Sequence, residues 1–363
     1  MLFYRNGFVE ILLNRGFLVK IRVKYWAAAL GASLLVSTAS YGKEFETRRA
    51  LSKEASNLFF KEEFEKLDAL LNNHLASGER SPSGIWKASP LYGNADNSLY
   101  FRGEDPDERE WYWDNAREKI GRWTKKYPTS PNAHVYYAKT FVSQAWNIRG
   151  HNTADKVKEE DWKPFFENLE KARVYLLKHK SISDKNPDWF VTMLNVANFQ
   201  QWPDKEYAKL LKEALDRHPL YHEIYFAAVR HLYPKWGGNP AAIEVFAQDA
   251  VRRTKDVEGY GMYARIYWVV WDEQYGYKVF KESYVDWPTW QHGIDDVLKK
   301  YPDQWNLVNF FKFSCFSGDK QKTQELRAKI HNPEQYYGSA ISKDIFAECS
   351  QGKIPDMSKY KKK

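Results

Sequence analysis

Histidine and glutamate side chains crowd one short stretch of the chain, and metal binding is the chemistry that they would suit. His218 and His222 stand four residues apart, a spacing that places two imidazoles on one face of a helix, and Glu223 and His231 follow. Pro219 interrupts the pair, because a proline there predicts that a helix begins only after His218. The spacing therefore indicates no metal site, and we predict neither a metal nor a cofactor.

The acidic stretch at 104–114, EDPDEREWYWD, could supply a second kind of chemistry. Glycoside hydrolysis needs one carboxylic acid and one carboxylate on either side of the sugar bond. The stretch also suits the first turn of a helix, where acidic side chains meet the positive end of the helix dipole, and we favour that interpretation. The sequence contains no nucleophile elbow, phosphate-binding loop, dinucleotide fingerprint or zinc-protease motif. We therefore predict that the protein is not an enzyme, with a glycosidase as the alternative.

A polar group at 145–152, AWNIRGHN, is the best candidate for binding a partner. Gly150 is placed to end a helix, and the guanidinium of Arg149 could stack on the indole of Trp146 or bind an acidic group. An ion pair between Arg149 and a carboxylate of a neighbouring helix is the interpretation that we favour. The candidate partner-contact residues are Tyr136, Tyr137, Trp146 and Arg149.

The stretch YPKWGGNP at 233–240 sets an aromatic ring between two prolines and two glycines. Its first residues close one helix, its glycine pair supplies backbone angles that side chains oppose, and its Asn-Pro pair opens the next helix. We interpret Trp236 as an apolar plug where two helices meet, so Trp236→Ala should lower stability before it affects binding. The predicted hinge residues are Pro234, Trp236, Gly237, Gly238, Asn239 and Pro240.

The elements that position these residues are predicted to be helices. Turn residues alternate with helical periodicity after residue 42, and no run of alternating polarity is long enough to indicate a sheet. Four predicted helix starts carry a capping side chain directly before a proline. They are Ser130-Pro131, Asn186-Pro187, Asn239-Pro240 and Asn332-Pro333. We predict an all-α domain at residues 43–351.

Three segments of the chain align with one another without gaps. They are KKYPTSPNAHVYYAKTF from Lys125, DRHPLYHEIYFAAVRHL from Asp216 and KKYPDQWNLVNFFKFSC from Lys299. Each contains a helix end, a Tyr-Pro or His-Pro turn and an aromatic-rich helix, a pattern typical of successive helical hairpins. About six to eight hairpins would fit a repeat unit of roughly 34 to 47 residues. We predict a tetratricopeptide-like array of antiparallel hairpins, an α-solenoid or α/α superhelix.

Residues 77–105 lack helical periodicity and are too numerous for an ordinary connection. Large apolar side chains in this stretch predict an ordered loop that packs across the array. They are Trp86, Leu91, Tyr92, Tyr100 and Phe101. The basic tail at 352–363 is predicted to be flexible.

Two motifs, W-x-x-R-G at 146–150 and P-x-W-G-G at 234–238, are the most specific local patterns of the sequence. With Trp162, Phe166, Leu169 and Ala172 between them, they resemble an uncharacterised family of exported bacterial proteins related to tetratricopeptide-repeat proteins. The resemblance covers roughly residues 50–330, and it implies a helical-repeat fold and an exported location without implying a reaction. The W-x-x-L-G motif and regular alanine spacing of true tetratricopeptide repeats are not met, which argues against their standard peptide groove.

Net charge excludes one class of partner. The chain carries a net charge of +8 over 363 residues, and half of that excess lies in residues 1–24 and half in the tail KYKKK. The body between them is neutral, whereas a surface that follows nucleic-acid phosphates needs clustered Lys and Arg. We predict no nucleic-acid partner. Aromatic residues make up 17% of the chain, and we favour helix packing over a glycan-binding surface as their role.

The stretch KIRVKYWAAALGASLLVSTASYG predicts export. A basic region precedes an apolar run from Tyr25 to Ala39, shorter than the roughly 20 residues that span a membrane, so we predict a signal peptide cleaved near Ala39 or Gly42. An uncleaved membrane anchor is the alternative. Residues 1–17 form an upstream extension, and we hypothesise that translation starts near Leu18 or Val19. Export would permit a disulfide between Cys315 and Cys349, with two buried thiols as the alternative.

These observations together predict an exported, periplasmic or extracellular helical-repeat protein without enzymatic activity. A hairpin array builds an extended concave surface, and such surfaces bind protein or peptide partners. A glycan-binding protein or glycosidase is one alternative, motivated by 15 Trp and 24 Tyr. A structural component of the cell envelope is the other.

Overall fold

The computed structural model describes residues 2–5, 8–12, 18–22, 43–92, 106–150 and 152–360, the first three ranges by backbone alone. The chain divides into two units, Met1–Tyr41 and Gly42–Lys363. The apolar run of the predicted signal segment, Tyr25 to Ala39, and the cleavage positions near Ala39 and Gly42 lie outside the described residues.

The first unit contains a small antiparallel sheet. Its strands are β1 (Leu2–Arg5), β2 (Phe8–Leu12) and β3 (Leu18–Arg22), and they pair in the order β1-β2-β3. This stretch was predicted to form an upstream extension and a basic leader, and no strands were predicted in it. The alternation of apolar and polar residues in VEI at 9–11 and VKIR at 19–22 is the signal that would have predicted β2 and β3.

The described part of the second unit is helical, with two isolated β-bridges and no strand. The all-α prediction is confirmed for this unit. Its α-helices, numbered in chain order, are α1 (Lys43–Phe60), α2 (Phe64–Ser77), α3 (Pro106–Lys126), α4 (Pro131–Arg149), α5 (Glu159–Lys178), α6 (Lys180–Ser183), α7 (Pro187–Phe199), α8 (Asp204–Arg217), α9 (His222–His231), α10 (Pro240–Glu258), α11 (Gly261–Val270), α12 (Val279–Glu282), α13 (Trp287–Lys300), α14 (Gln304–Ser317), α15 (Lys320–Ala328) and α16 (Lys343–Ser350).

Three of the four predicted caps are confirmed. The side chains of Ser130, Asn186 and Asn239 accept backbone N–H groups at the starts of α4, α7 and α10, each with proline next in the chain. The prediction for Asn332 is wrong. This residue has a left-handed backbone, with φ of 48°, makes no capping bond and precedes only a short 3₁₀ turn, Pro333–Tyr336. A left-handed residue cannot present its side chain as an N-cap in extended geometry does.

The repeated Tyr-Pro and His-Pro segments are confirmed as turns between helices. They lie between α3 and α4, between α8 and α9, and between α13 and α14. The second turn also confirms that a helix begins only after His218, because His218 follows the end of α8 and His222 begins α9. The acidic stretch likewise opens α3, which carries Asp107 and Glu108 in its first turn.

Five helices, here called the inner helices, bury several of their faces at once: α4, α7, α9, α11 and α14. Neighbours in sequence cover them, since α4 packs on α3 and α5, α7 on α8 and α9, and α11 on α10 and α13. A helix such as α8 buries one face only, at Tyr207, Leu210, Ala214 and Leu215. The inner helices therefore carry most of the polar side chains that are buried in the described core.

Aromatic rings fill the contacts between helices. Each tryptophan in the described ranges is buried or half-buried, apart from Trp111 at 68% exposure. Trp290, for example, is fully buried among the rings of Phe280, Phe313 and Tyr267. Large buried rings contribute strongly to packing energy, so the aromatic content of the chain is explained in large part by its helix interfaces.

Candidate functional site

Residues 79–92, here called the inner segment, lie against the inner helices without being helical over most of their length. The segment belongs to the stretch predicted as an ordered loop; Leu91 and Tyr92 are buried, whereas Tyr100 and Phe101 lie outside the described residues. Arg80 Nη2 and Trp86 Nε1 both donate hydrogen bonds to the carbonyl oxygen of Leu220, at 3.4 and 2.8 Å. The turn before α9 thus holds the start of the segment.

The middle of the inner segment is held through its backbone. Arg265 Nη2 and Asn306 Nδ2 each donate to the carbonyl oxygen of Ser83 over 3.0 Å, and the Ser83 N–H donates to Glu44 Oε2 over 2.8 Å. Gly84 makes this approach possible. Its φ is +88°, and a Cβ atom there would lie 2.3 Å from Arg265 Nη2.

The end of the inner segment binds to α4 and to the cap of α7. Tyr136 Oη donates to the Leu91 carbonyl over 2.8 Å, and Tyr92 Oη donates to Asn132 Oδ1 over 2.5 Å. Asn186 Nδ2 donates to both Tyr92 Oη and Asn132 Oδ1. Tyr136, which we predicted to contact a partner, is 3% exposed and contacts the protein's own chain instead.

A buried ionic group lies beside Arg80. His222 Nε2 is 3.1 Å from Glu258 Oε1, and Arg80 Nη2 donates to the same oxygen over 3.4 Å. Burial lowers the pKa of His222 to about 4 although the hydrogen bond with Glu258 opposes it, so the imidazole is neutral near pH 7. Burial alone would raise the pKa of Glu258, but the bond with His222 and the charges of Arg265 and Arg80 lower it to about 2. With His222 and Glu258 at 0% and 3% exposure, this group is placed to hold the fold rather than to meet a substrate.

A cavity of about 200 Å³ opens next to Ser83 and Ile85 of the inner segment. Apolar walls come from Phe226, Trp268 and Trp305, one each from α9, α11 and α14. Polar groups come from Arg48, Arg265, Asp272 and Asn306.

The guanidinium groups of this cavity differ in their partners. Arg48 Nε donates to Glu44 Oε1 over 2.5 Å, and its guanidinium lies 5.7 Å from the Trp305 ring centre. Arg265 is 4% exposed, and its Nε–H has no hydrogen-bond partner among the described residues. A buried N–H without a partner is costly, so a bound acceptor in this cavity would be stabilised. Asp272 accepts from Trp268 Nε1 over 2.9 Å, and burial raises the pKa of its carboxyl group.

The other predicted partner contacts lie at two places on α4, Tyr137 in its first half and Trp146 with Arg149 near its end. The Tyr137 ring stacks on Tyr175 at 4.5 Å, and the Arg149 guanidinium lies 5.0 Å from the Trp146 ring centre and 5.4 Å from that of Trp162. Arg149 Nη1 donates to two backbone carbonyls, and burial lowers the pKa of its guanidinium. The favoured ion pair of Arg149 is not found within the described part of the chain, and the guanidinium stacks on indoles instead.

The predicted hinge has the geometry that its residue types require. Gly237 has φ of +91°, and a Cβ atom on Gly238 would lie 2.2 Å from the Leu232 carbonyl oxygen. Asn239 caps α10, and Pro240 is its first residue. Trp236 is half-buried against Phe199, with ring centres 5.7 Å apart, and lines an open cleft of about 720 Å³.

The two cysteines are joined. Cys315 of α14 and Cys349 of α16 form a disulfide, and both are buried. Over the ranges that the structure describes, no three His, Cys, Asp or Glu side chains are grouped to hold a metal ion. No helix among them has the length and apolar character needed to cross a membrane.

Sequence reasoning missed the residues that build the cavity. Arg48, Arg265, Trp268 and Trp305 come from three distant helices, so no local motif groups them. The available signal was the polar residues in otherwise apolar helices, such as Arg265 within GMYARIYWVV. A buried arginine on an apolar helix needs acceptors, and that need indicates a contact with another part of the chain or with a ligand.

Comparisons with known proteins find no match, neither among family models nor among curated proteins nor among solved structures. The resemblance based on the W-x-x-R-G and P-x-W-G-G motifs therefore stays a prediction. A function for this chain must be argued from the inner segment, the cavity beside it and the cleft at the hinge.

Proposed function

We propose that this chain is an exported, tetratricopeptide-like helical-repeat protein that binds a segment of a partner polypeptide in the cavity beside the inner segment. One observation carries the proposal. The inner helices already hold a polypeptide segment, their own residues 79–92, through side chains that bind its backbone carbonyls. Arg265 and Asn306 bind the Ser83 carbonyl, and Tyr136 binds that of Leu91.

The cavity extends that recognition surface beyond the inner segment. The Arg265 Nε–H lacks an acceptor in the described structure, and a backbone carbonyl or carboxylate of a partner would supply one. The half-buried rings of Trp268 and Trp305 offer an apolar wall for a partner side chain. With about 200 Å³ of space, the cavity suits one or two side chains of a peptide rather than a folded domain.

Two features support the exported location. The basic-then-apolar leader has the pattern of a signal peptide. The disulfide between Cys315 and Cys349 suits an oxidising compartment, since cytosolic thiols are kept reduced. An uncleaved anchor would keep the same domain in the envelope, with the membrane contacted only through the N-terminal segment.

Site-specific photocrosslinking in the producing cell tests this proposal. A photoreactive amino acid is placed at Val269, which lines the cavity, or at Val245, which is 67% exposed on α10. We expect a discrete polypeptide adduct from the Val269 position, weakened by Trp268→Ala, and none from Val245. Absence of an adduct at Val269, or the same adduct at both positions, would contradict the proposal and favour a purely structural role.

A further inference from the structure

The cleft at the hinge is a second cavity, on helices α7 to α10, and the inner segment takes no part in it. Its volume of about 720 Å³ lies within the range of roughly 300 to 1,000 Å³ that is usual for small-molecule sites. Aromatic rings form much of its wall, with Trp202 and Trp236 half-buried and Tyr207 and Phe246 buried. The cleft is therefore open, aromatic and large enough for one or two sugar rings.

A buried polar atom on the wall of this cleft has no hydrogen-bond partner among the described residues: Tyr207 Oη. The Tyr207 side chain is almost fully buried, at 3% exposure. Asn198 lines the same wall, and its amide lies beside His231, with 3.1 Å between His231 Nδ1 and Asn198 Oδ1. A buried donor without a partner is costly, so Tyr207 indicates that an acceptor enters the cleft.

The charges around the cleft select against an ionic ligand. The His231 ring stacks on Tyr207 at 3.8 Å, and burial lowers its pKa although Asp204 opposes the shift, so the imidazole is neutral near pH 7. Lys235 Nζ is engaged by the Glu273 carbonyl, to which it donates over 2.8 Å. The Asp204 side chain is fully exposed. Because the Asp204 carboxylate lies in solvent and the Lys235 ammonium is hydrogen-bonded to a backbone carbonyl, the described inner wall of the cleft carries no free charge.

We propose that this cleft binds a neutral sugar, either a monosaccharide or the end of a glycan. A sugar ring has an apolar C–H face that packs on an indole and hydroxyl groups that accept from buried donors. Trp202 and Trp236 supply the indoles, and Tyr207 Oη supplies a buried donor. This inference is independent of the proposed peptide cavity, because the two sites share no lining residue.

Binding of defined sugars to the full chain tests the proposal. Glucose, galactose, N-acetylglucosamine and their β-linked trimers are titrated up to 20 mM, roughly the weakest range worth measuring by calorimetry. At least one of these neutral sugars is expected to bind. Tyr207→Phe should weaken that binding about fivefold, the loss of one hydrogen bond, while leaving the melting temperature unchanged or higher. If Tyr207 had only a structural role, Tyr207→Phe would lower the melting temperature together with the sugar affinity.

Tyr221→Phe is the matched control, because Tyr221 also carries a buried hydroxyl without a partner in the described structure but does not line this cleft. It should leave sugar affinity unchanged. The proposal is overturned if none of the sugars binds, if Tyr207→Phe binds as tightly as the unaltered chain, or if both variants lose affinity equally. Preferential binding of glucose 6-phosphate or glucuronate over glucose would also overturn it, since the site would then select anionic ligands rather than neutral sugars.

Discussion

The Arg265 guanidinium donates to the carbonyl oxygen of Ser83 across 182 positions of sequence, at an Nη2–O distance of 3.0 Å. Asn306 donates to the same oxygen from another inner helix. A single backbone carbonyl thus joins α11, α14 and the inner segment. Since Arg265 is 4% exposed, this contact anchors the segment in the interior rather than on the surface.

The close approach at Gly84 predicts that Gly84→Ala is strongly destabilising. An added Cβ would lie 2.3 Å from Arg265 Nη2 and 2.4 Å from the Tyr301 ring, at a φ of +88° that side chains disfavour. We expect a loss of about 2 to 4 kcal/mol in the free energy of unfolding, measured by urea titration.

Gly237→Ala separates the two causes of that loss. Gly237 has a φ of +91°, close to that of Gly84, but an added Cβ there would meet nothing within 4 Å. Its cost should be the backbone strain alone, about 1 kcal/mol. Equal losses for the two variants would show that the Arg265 contact does not fix the position of the inner segment.

The buried His222 predicts a loss of stability in mild acid. Its folded-state pKa of about 4 lies below the unfolded value of 6.5, so the unfolded chain binds the extra proton between them, and stability falls as the pH drops through that interval. Between pH 7 and pH 5 this group should remove about 2 kcal/mol from the free energy of unfolding. Glu258, with a lowered pKa of about 2, adds its own loss only below about pH 4.5.

Urea titrations at both pH values, on the unaltered chain and on His222→Gln, check this prediction. The amide of Gln can still donate to Glu258 but does not titrate, so the variant should lose about 2 kcal/mol less between pH 7 and pH 5. His292→Gln serves as the control, because His292 is an exposed histidine of α13, and it should behave like the unaltered chain. Identical pH dependence in His222→Gln and the unaltered chain would contradict the assignment.

The disulfide predicts a redox-dependent stability. It closes a loop with a sequence separation of 34 residues, and the loss of such a constraint on the unfolded chain costs about 3 to 4 kcal/mol. Urea unfolding of the Cys315→Ser, Cys349→Ser double variant should show that loss, and added reductant should not destabilise the variant further. A count of two reactive thiols in the unreduced, unfolded protein would show that the bond does not form.

Local signals explain the parts of the fold that could be predicted. Ser130, Asn186 and Asn239 act as caps because their bonds reach only two or three residues along the chain. Pro219 correctly predicted for the same reason that His218 and His222 do not lie on one helix, because the start of a helix depends on the residues of its first turn. Asn332 shows the limit, since its left-handed backbone is imposed by the surrounding fold and not by the Asn-Pro pair.

Long-range contacts explain why the candidate site could not be predicted. Tyr136 was predicted to contact a partner, but its hydroxyl donates to Leu91 of the same chain, 45 positions earlier. Arg265 and Ser83 are separated by 182 positions, and no spacing rule relates them. The sequence can indicate that Arg265, a buried arginine in an apolar helix, needs a hydrogen-bond acceptor. Only the folded structure identifies that acceptor as the carbonyl oxygen of Ser83.

The hinge at 233–240 predicts two different costs for two adjacent glycines. Gly237→Ala places a Cβ in open space at a φ of +91°, so it should cost only backbone strain, about 1 kcal/mol. Gly238→Ala places a Cβ 2.2 Å from the Leu232 carbonyl oxygen, and because that atom belongs to the backbone it cannot turn aside. We expect a loss of about 2 kcal/mol or more, measured by urea titration. A larger loss in the free energy of unfolding for Gly237→Ala than for Gly238→Ala would mean that the backbone after α9 does not follow this path. The Trp236 ring would then not line the cleft as described.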